Sequence, residues 1–131
     1  MRSLIVDIFW FSGTGNTFLV AKEVKKALEA AQQVVVMHPL EQASPIDIKT
    51  EHAIGLIFPV THQGTHRFIW QFVENMPRTD FSTEIFMIDT RMIYSGGIKG
   101  PMRNILTAKG YVPIGACEIT MPSNLFRKIS S

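Results

Sequence analysis

The sequence predicts one α/β domain, residues 1–131, built on a doubly wound five-stranded parallel sheet. Three observations predict it. Short apolar runs alternate with segments of helical period, the connections between them are short, and the Gly/Ser/Thr-rich segments follow strands. Strand–helix alternation of this kind closes into parallel βαβ units with right-handed crossovers and helices on both faces. A chain of 131 residues gives a globule with a radius of gyration of ~14 Å, enough for one sheet and its covering helices.

Each element has a local reason. Leu4 to Phe11 is an apolar run interrupted only by Asp7, and it reads as a strand buried on both faces. From Thr17 to Ala31 the residues Val20, Val24, Ala27, Leu28 and Ala31 fall on one helical stripe, with Lys22, Glu23, Lys25, Lys26 and Glu29 mainly opposite. Val34 to Met37 is a second strand. Residues 38–52 hold Pro39 and Pro45 and show little period, so at most a short helix is expected there. Ala53 to Phe58 is a third strand, stopped by Pro59. Phe68, Ile69, Phe72, Val73 and Met76 mark a helix ending before Pro77. Glu84 to Asp89 is the fourth strand. Pro101 and Gly110 bracket a third helix with Met102, Ile105 and Leu106 as its apolar face. Tyr111 to Met121 reads as a fifth strand, and Pro113, which has no N–H for a ladder, places it at a sheet edge. Leu125, Phe126 and Ile129 begin a further helix that stops short at Ser131.

Composition excludes several classes. Lys+Arg 13 against Asp+Glu 11 gives a net charge of +2 with no cluster, whereas a nucleic-acid surface concentrates Lys and Arg against phosphates. The apolar stretch at the N-terminus is broken by Asp7 and far too short to span a bilayer, and neither secretion nor membrane spanning is expected. The one cysteine, Cys117, forms no internal disulfide and suits a reducing cytoplasm.

The chemistry concentrates between the first strand and the first helix, in Ser12, Gly13, Thr14, Gly15, Asn16 and Thr17. Hydroxyls, an amide and backbone N–H groups at a helix N-terminus suit a phosphate monoester dianion, and two glycines let the backbone curl around it. No lysine follows, as a Walker loop requires, and Phe18 stands where the dinucleotide fingerprint needs its third glycine. A glycine turn that merely caps the helix is the competing explanation. Six contiguous donor or glycine residues at a strand–helix junction make that the lesser one.

The string from Phe11 to Thr17 resembles the FMN-phosphate loop of the flavodoxin family, and the resemblance covers residues 4–122 as five strands in that family's order. Gly96 and Gly97, the turn Lys109-Gly110-Tyr111, and the run from Met121 to Asn124 resemble more narrowly the flavodoxin-like half of flavodoxin–ferredoxin fusion proteins of anaerobes. The resemblance implies strand order 2-1-3-4-5 with FMN at the switch point between strands one and three. It implies that Pro59, Val60, Thr61, His62, Gln63 and Gly64 run past the flavin ring. Gly64, or a carbonyl beside it, would be the partner of flavin N5. The sequence departs from the family here, since His62 is the only ring in that loop. After strand four, in the segment from Thr90 to Gly97, Tyr94 would stack on the ring. Arg91 would lie near N1 and O2, where a cation favours the reduced anionic flavin.

No nucleophile–base pair stands out, so no catalytic side chain is expected, and any chemistry belongs to the flavin. His62 and His66 have helical metal-ligand spacing but no third partner, so no metal is expected. His38 and His52 flank irregular segments and are expected to be solvated. Trp10, Trp70 and Cys117 are expected in the core. Asp7 has no evident role.

The function expected is therefore an FMN-binding electron carrier serving a redox partner protein such as a ferredoxin. The alternatives are an NAD(P)H-dependent FMN oxidoreductase on the same fold and a truncated scaffold that binds without redox chemistry. No nucleic acid or membrane partner is expected. The short final helix leaves part of one sheet face to be covered, which predicts a homodimer or a companion chain.

Overall fold

The computed structural model describes residues 5–11, 15–59, 63–89 and 100–115, with side chains described in all of these except 15–16, 63–66, 89 and 100–101. Among them the chain forms β1 (Ile5–Trp10), α1 (Gly15–Ala30), β2 (Val34–Pro39), β3 (Ala53–Phe58), α2 (Gln63–Glu74), β4 (Glu84–Asp89), α3 (Gly100–Ala108) and β5 (Val112–Pro113). Two 3₁₀ turns, Leu40–Gln42 and Pro45–Asp47, occupy the connection from β2 to β3. The five strands form one all-parallel sheet in the order β2-β1-β3-β4-β5, the flavodoxin-like arrangement.

Strand alternation divides the core in two. Val6 and Ile8 of β1 face α1, where Val20, Ala21, Val24 and Leu28 pack against them together with Ile57, Phe86 and Ile88. Phe9, Ile54, Leu56, Phe58 and Ile85 face the other way and meet Ile69, Phe72, Val73 and Met76 of α2 and Leu106 of α3. The central strand β3 is buried at every position, as a strand covered on both faces must be. Trp10 is partly buried, packs on the α1-side core and lies 5.0 Å from the Phe18 ring.

The helices end by recognisable chemistry. Past α3, the Gly110 N–H donates to the Thr107 carbonyl (3.0 Å) and the Tyr111 N–H to that of Leu106 (3.0 Å), with Gly110 at φ +99°. That pair of bonds is a Schellman motif. α1 closes the same way, with Gln32 at φ 67° and the Gln33 N–H donating to Leu28 (2.9 Å).

The ends of α2 and α3 also cap one another. Lys109 Nζ donates to the carbonyls of Glu74 and Met76, each at 2.6 Å, while Arg78 donates to that of Ala108 at 3.3 Å. Partial burial, then the nearby Arg78 charge, lowers the Lys109 pKa, and Glu74 offsets part of this. Next to this clasp, the Phe81 N–H donates to Thr79 Oγ1, whose hydroxyl meets Thr83 Oγ1 (2.7 Å), and the Thr83 hydroxyl donates to the Thr50 carbonyl.

The Tyr111 hydroxyl donates to the Pro77 carbonyl at 2.7 Å, and burial pushes its pKa up to about 12. The neutral phenol is thus favoured by the fold. Its contribution is complete below the ordinary value of 10.0 and is lost as pH rises from there toward about 12. Alkaline unfolding followed by circular dichroism should show this limb, and Tyr111→Phe should remove it while costing about 1 kcal/mol at neutral pH.

β5 lies at a sheet edge with Pro113 in it, as the missing N–H requires. Its described length is two residues, extended by the Ile114 N–H donating to the Ile85 carbonyl at 2.9 Å. β2, at the other edge, runs to Pro39, which lies opposite Trp10. Of the fifth strand expected over Tyr111 to Met121, Tyr111, Ile114 and Gly115 fall outside β5, and residues 116–121, like the final helix, lie outside the described residues.

Candidate functional site

In a parallel sheet all carboxyl ends share one edge, and the loops leaving them meet where the order reverses. Here the reversal falls at β1, which pairs with β2 on one side and β3 on the other. The end of β1 is tied to β3 by the Phe11 N–H donating to the Ile57 carbonyl at 2.9 Å. Phe58 of β3 stands opposite Asp89 of β4. The segments after β1, β3 and β4, which hold every predicted site residue, therefore leave from three neighbouring strands.

α1 begins at Gly15, so the backbone N–H groups of Gly15, Asn16 and Thr17 belong to its first turn. The first N–H groups of a helix have no intrahelical acceptor and carry the positive end of its dipole. The first turn of α1 holds no acidic residue, so no carboxylate of that turn competes for those donors. This fits a phosphate dianion. Thr17 is fully buried beneath the helix start. Phe18 is exposed at the same helix end, with the Lys22 ammonium 5.6 Å from its ring centre. Pro59 is buried at the end of β3, and Gln63 and Gly64 form the first turn of α2. Ser12, Gly13, Thr14, Val60, Thr61, His62, Thr90, Arg91, Tyr94 and Gly97 lie outside the described residues.

A second polar cluster was not anticipated from the sequence. Asp7, in the middle of β1, is almost wholly buried and accepts from two imidazoles. His38 Nε2 donates to Oδ1 at 2.9 Å and His52 Nδ1 to Oδ2 at 2.7 Å. The expectation that both histidines are solvated is thereby corrected for His52 and holds only in part for His38. His52 retains only 16% of its side-chain exposure and His38 37%. The reason is geometric. His38 lies opposite Phe9 in the β1–β2 register and stacks on its ring at 4.8 Å and 19°. His52 immediately precedes β3, the other neighbour of β1. The sequence did hold one signal, a lone carboxylate inside an otherwise apolar central strand. Among the described residues no group of three His, Cys, Asp or Glu side chains is arranged to hold a metal ion, and no helix is long and apolar enough to cross a membrane.

Compared with protein-family models, curated proteins and solved structures, the chain matches none of them.

Proposed function

We propose that this chain is a flavodoxin-like carrier of electrons that holds FMN at the carboxyl edge of β1, β3 and β4. The observation that carries this reading is the opening turn of α1. It presents backbone N–H groups and no carboxylate directly after β1, on the same sheet edge as β3 and β4, whose loops would flank a ring. The phosphate would be held by the backbone of Gly15, Asn16 and Thr17 and by the hydroxyls of Ser12 and Thr14. Neutral donors and the helix dipole suffice for a dianion, because charge-assisted hydrogen bonds are about twice as strong as neutral ones. The bound flavin would supply one- and two-electron transfer. The protein's part is to orient the ring, exclude water from one of its faces, and set the charge near it through Arg91 and Tyr94. The exposed edge of the ring would meet a redox partner protein such as a ferredoxin.

Reconstitution tests this directly. The folded protein should take up FMN with quenching of flavin fluorescence and a structured visible spectrum. Riboflavin, which lacks the phosphate, should bind about 100-fold more weakly, the equivalent of two charge-assisted bonds at about 1.5 kcal/mol each. Equal affinity for the two flavins, or uptake of neither, would overturn the assignment. Turnover of NADH by the loaded protein without any added acceptor would instead mark an oxidoreductase.

A further inference from the structure

We infer that the cavity over β1 and β2, on the face away from α1, is an anion site that takes up a small carboxylate or phosphoryl group together with protons. The cavity measures about 310 Å³ and is walled by Asp7, Phe9 and His38 on the sheet and by Ser44, Asp47 and Lys49 on the connection to β3, with His52 closing one end. It exists because that connection forms two 3₁₀ turns in place of a packed helix. The volume is at the small end for ligand pockets, which run from about 300 Å³ upward, so the occupant is a small molecule.

The cluster specifies its chemistry. Both Asp7 oxygens are committed to imidazole N–H groups, so this carboxylate serves as a fixed countercharge and orienter for the rings. Each imidazole keeps its second nitrogen, His38 Nδ1 and His52 Nε2. Those nitrogens accept when the ring is neutral and donate when it is charged. The ionisable groups lining the cavity are Asp7 from β1, His38 from β2, Asp47 and Lys49 from the connection, and His52 ahead of β3. With both rings neutral they sum to one negative charge, and with both rings charged to one positive charge. Glu51 and Glu84 line the adjoining cavity on the other side of His52. An anion is therefore repelled by the lining while the rings are neutral and attracted once both are charged, and its binding carries protons with it. Phe9, stacked against His38, fixes one ring, while the exposed Lys49 and Ser44 supply the outer donors.

The test is imidazole nitrogen NMR of the full chain, titrated separately with acetate and with inorganic phosphate at about pH 6 and about pH 8. Saturable shifts of the His38 and His52 signals are expected at the lower pH. Apparent affinity should be higher at the lower pH than at the higher, because the lining reverses its net charge only when both rings are charged. His38→Gln and His52→Gln each keep an N–H for Asp7 and should preserve the fold by circular dichroism, while each weakens the pH dependence of binding. A response to phosphate alone assigns a phosphoryl ligand, and a response to both assigns a carboxylate-sized site. The double variant Ser12→Ala, Thr14→Ala should leave the imidazole response intact, separating it from any phosphate bound at α1 and from the flavin reading. No saturable shift with either anion, equal affinity at both pH values, or an undiminished pH dependence in His52→Gln would overturn the inference.

Discussion

Gly110→Ala is expected to destabilise the protein by roughly 2–5 kcal/mol. Gly110 sits at φ +99°, and a methyl group built there would lie 2.1 Å from the Thr79 carbonyl oxygen. The left-handed backbone alone costs about 1–2 kcal/mol for a residue with a Cβ, and the collision with a fixed backbone atom adds about 1–3 kcal/mol. Relief by movement is blocked, because Thr79 is itself hydrogen-bonded through its N–H to the Lys109 carbonyl at 2.9 Å. At this chain length the loss corresponds to a drop in Tm of roughly 4 °C per kcal/mol. Thermal unfolding measures it, and a change within experimental error would show that the turn after α3 adapts freely.

Gly55→Ala is the second large effect, expected at about 1–3 kcal/mol. On the α1 side of β3 the Phe86 ring lies across Gly55, so an added Cβ would stand 2.4 Å from Phe86 Cζ and 2.8 Å from Cε2. A flexible side-chain end would yield, but Phe86 is fully buried within the α1-side core, and its ring has no free volume to enter. The partnership is testable by a double-mutant cycle in urea. Phe86→Leu alone should destabilise by leaving a void. Combined with Gly55→Ala, it should cost less than the sum by about 0.5–3 kcal/mol. Strict additivity would mean that the ring does not need the glycine.

Much of this fold was legible from local pattern. β3 and β4 coincide with their apolar runs because Pro59 and the polar segment before Glu84 punctuate them. α2 begins at Gln63, five residues ahead of Phe68, because its polar first turn offers no apolar period to read. β2 runs on to Pro39 because pairing with Trp10 holds it extended. The site divides along the same line. A glycine- and hydroxyl-rich loop is a contiguous signal, and α1 starts within it, at Gly15, two residues ahead of the expected Thr17. The Asp7 cluster is assembled from residues 31 and 45 positions apart. Only the sheet order makes them neighbours, and the irregular sequence around each histidine pointed instead to water.

Both open margins of the sheet carry a proline, Pro39 on β2 and Pro113 on β5. An imino nitrogen can donate nothing to an incoming strand, so neither rim offers an uninterrupted template for another chain to lengthen the sheet. The exposed valines Val34 and Val36 on β2 would otherwise invite such growth. The two outermost strands thus each carry a break against strand addition, at Pro39 where β2 ends and at Pro113, which is itself buried.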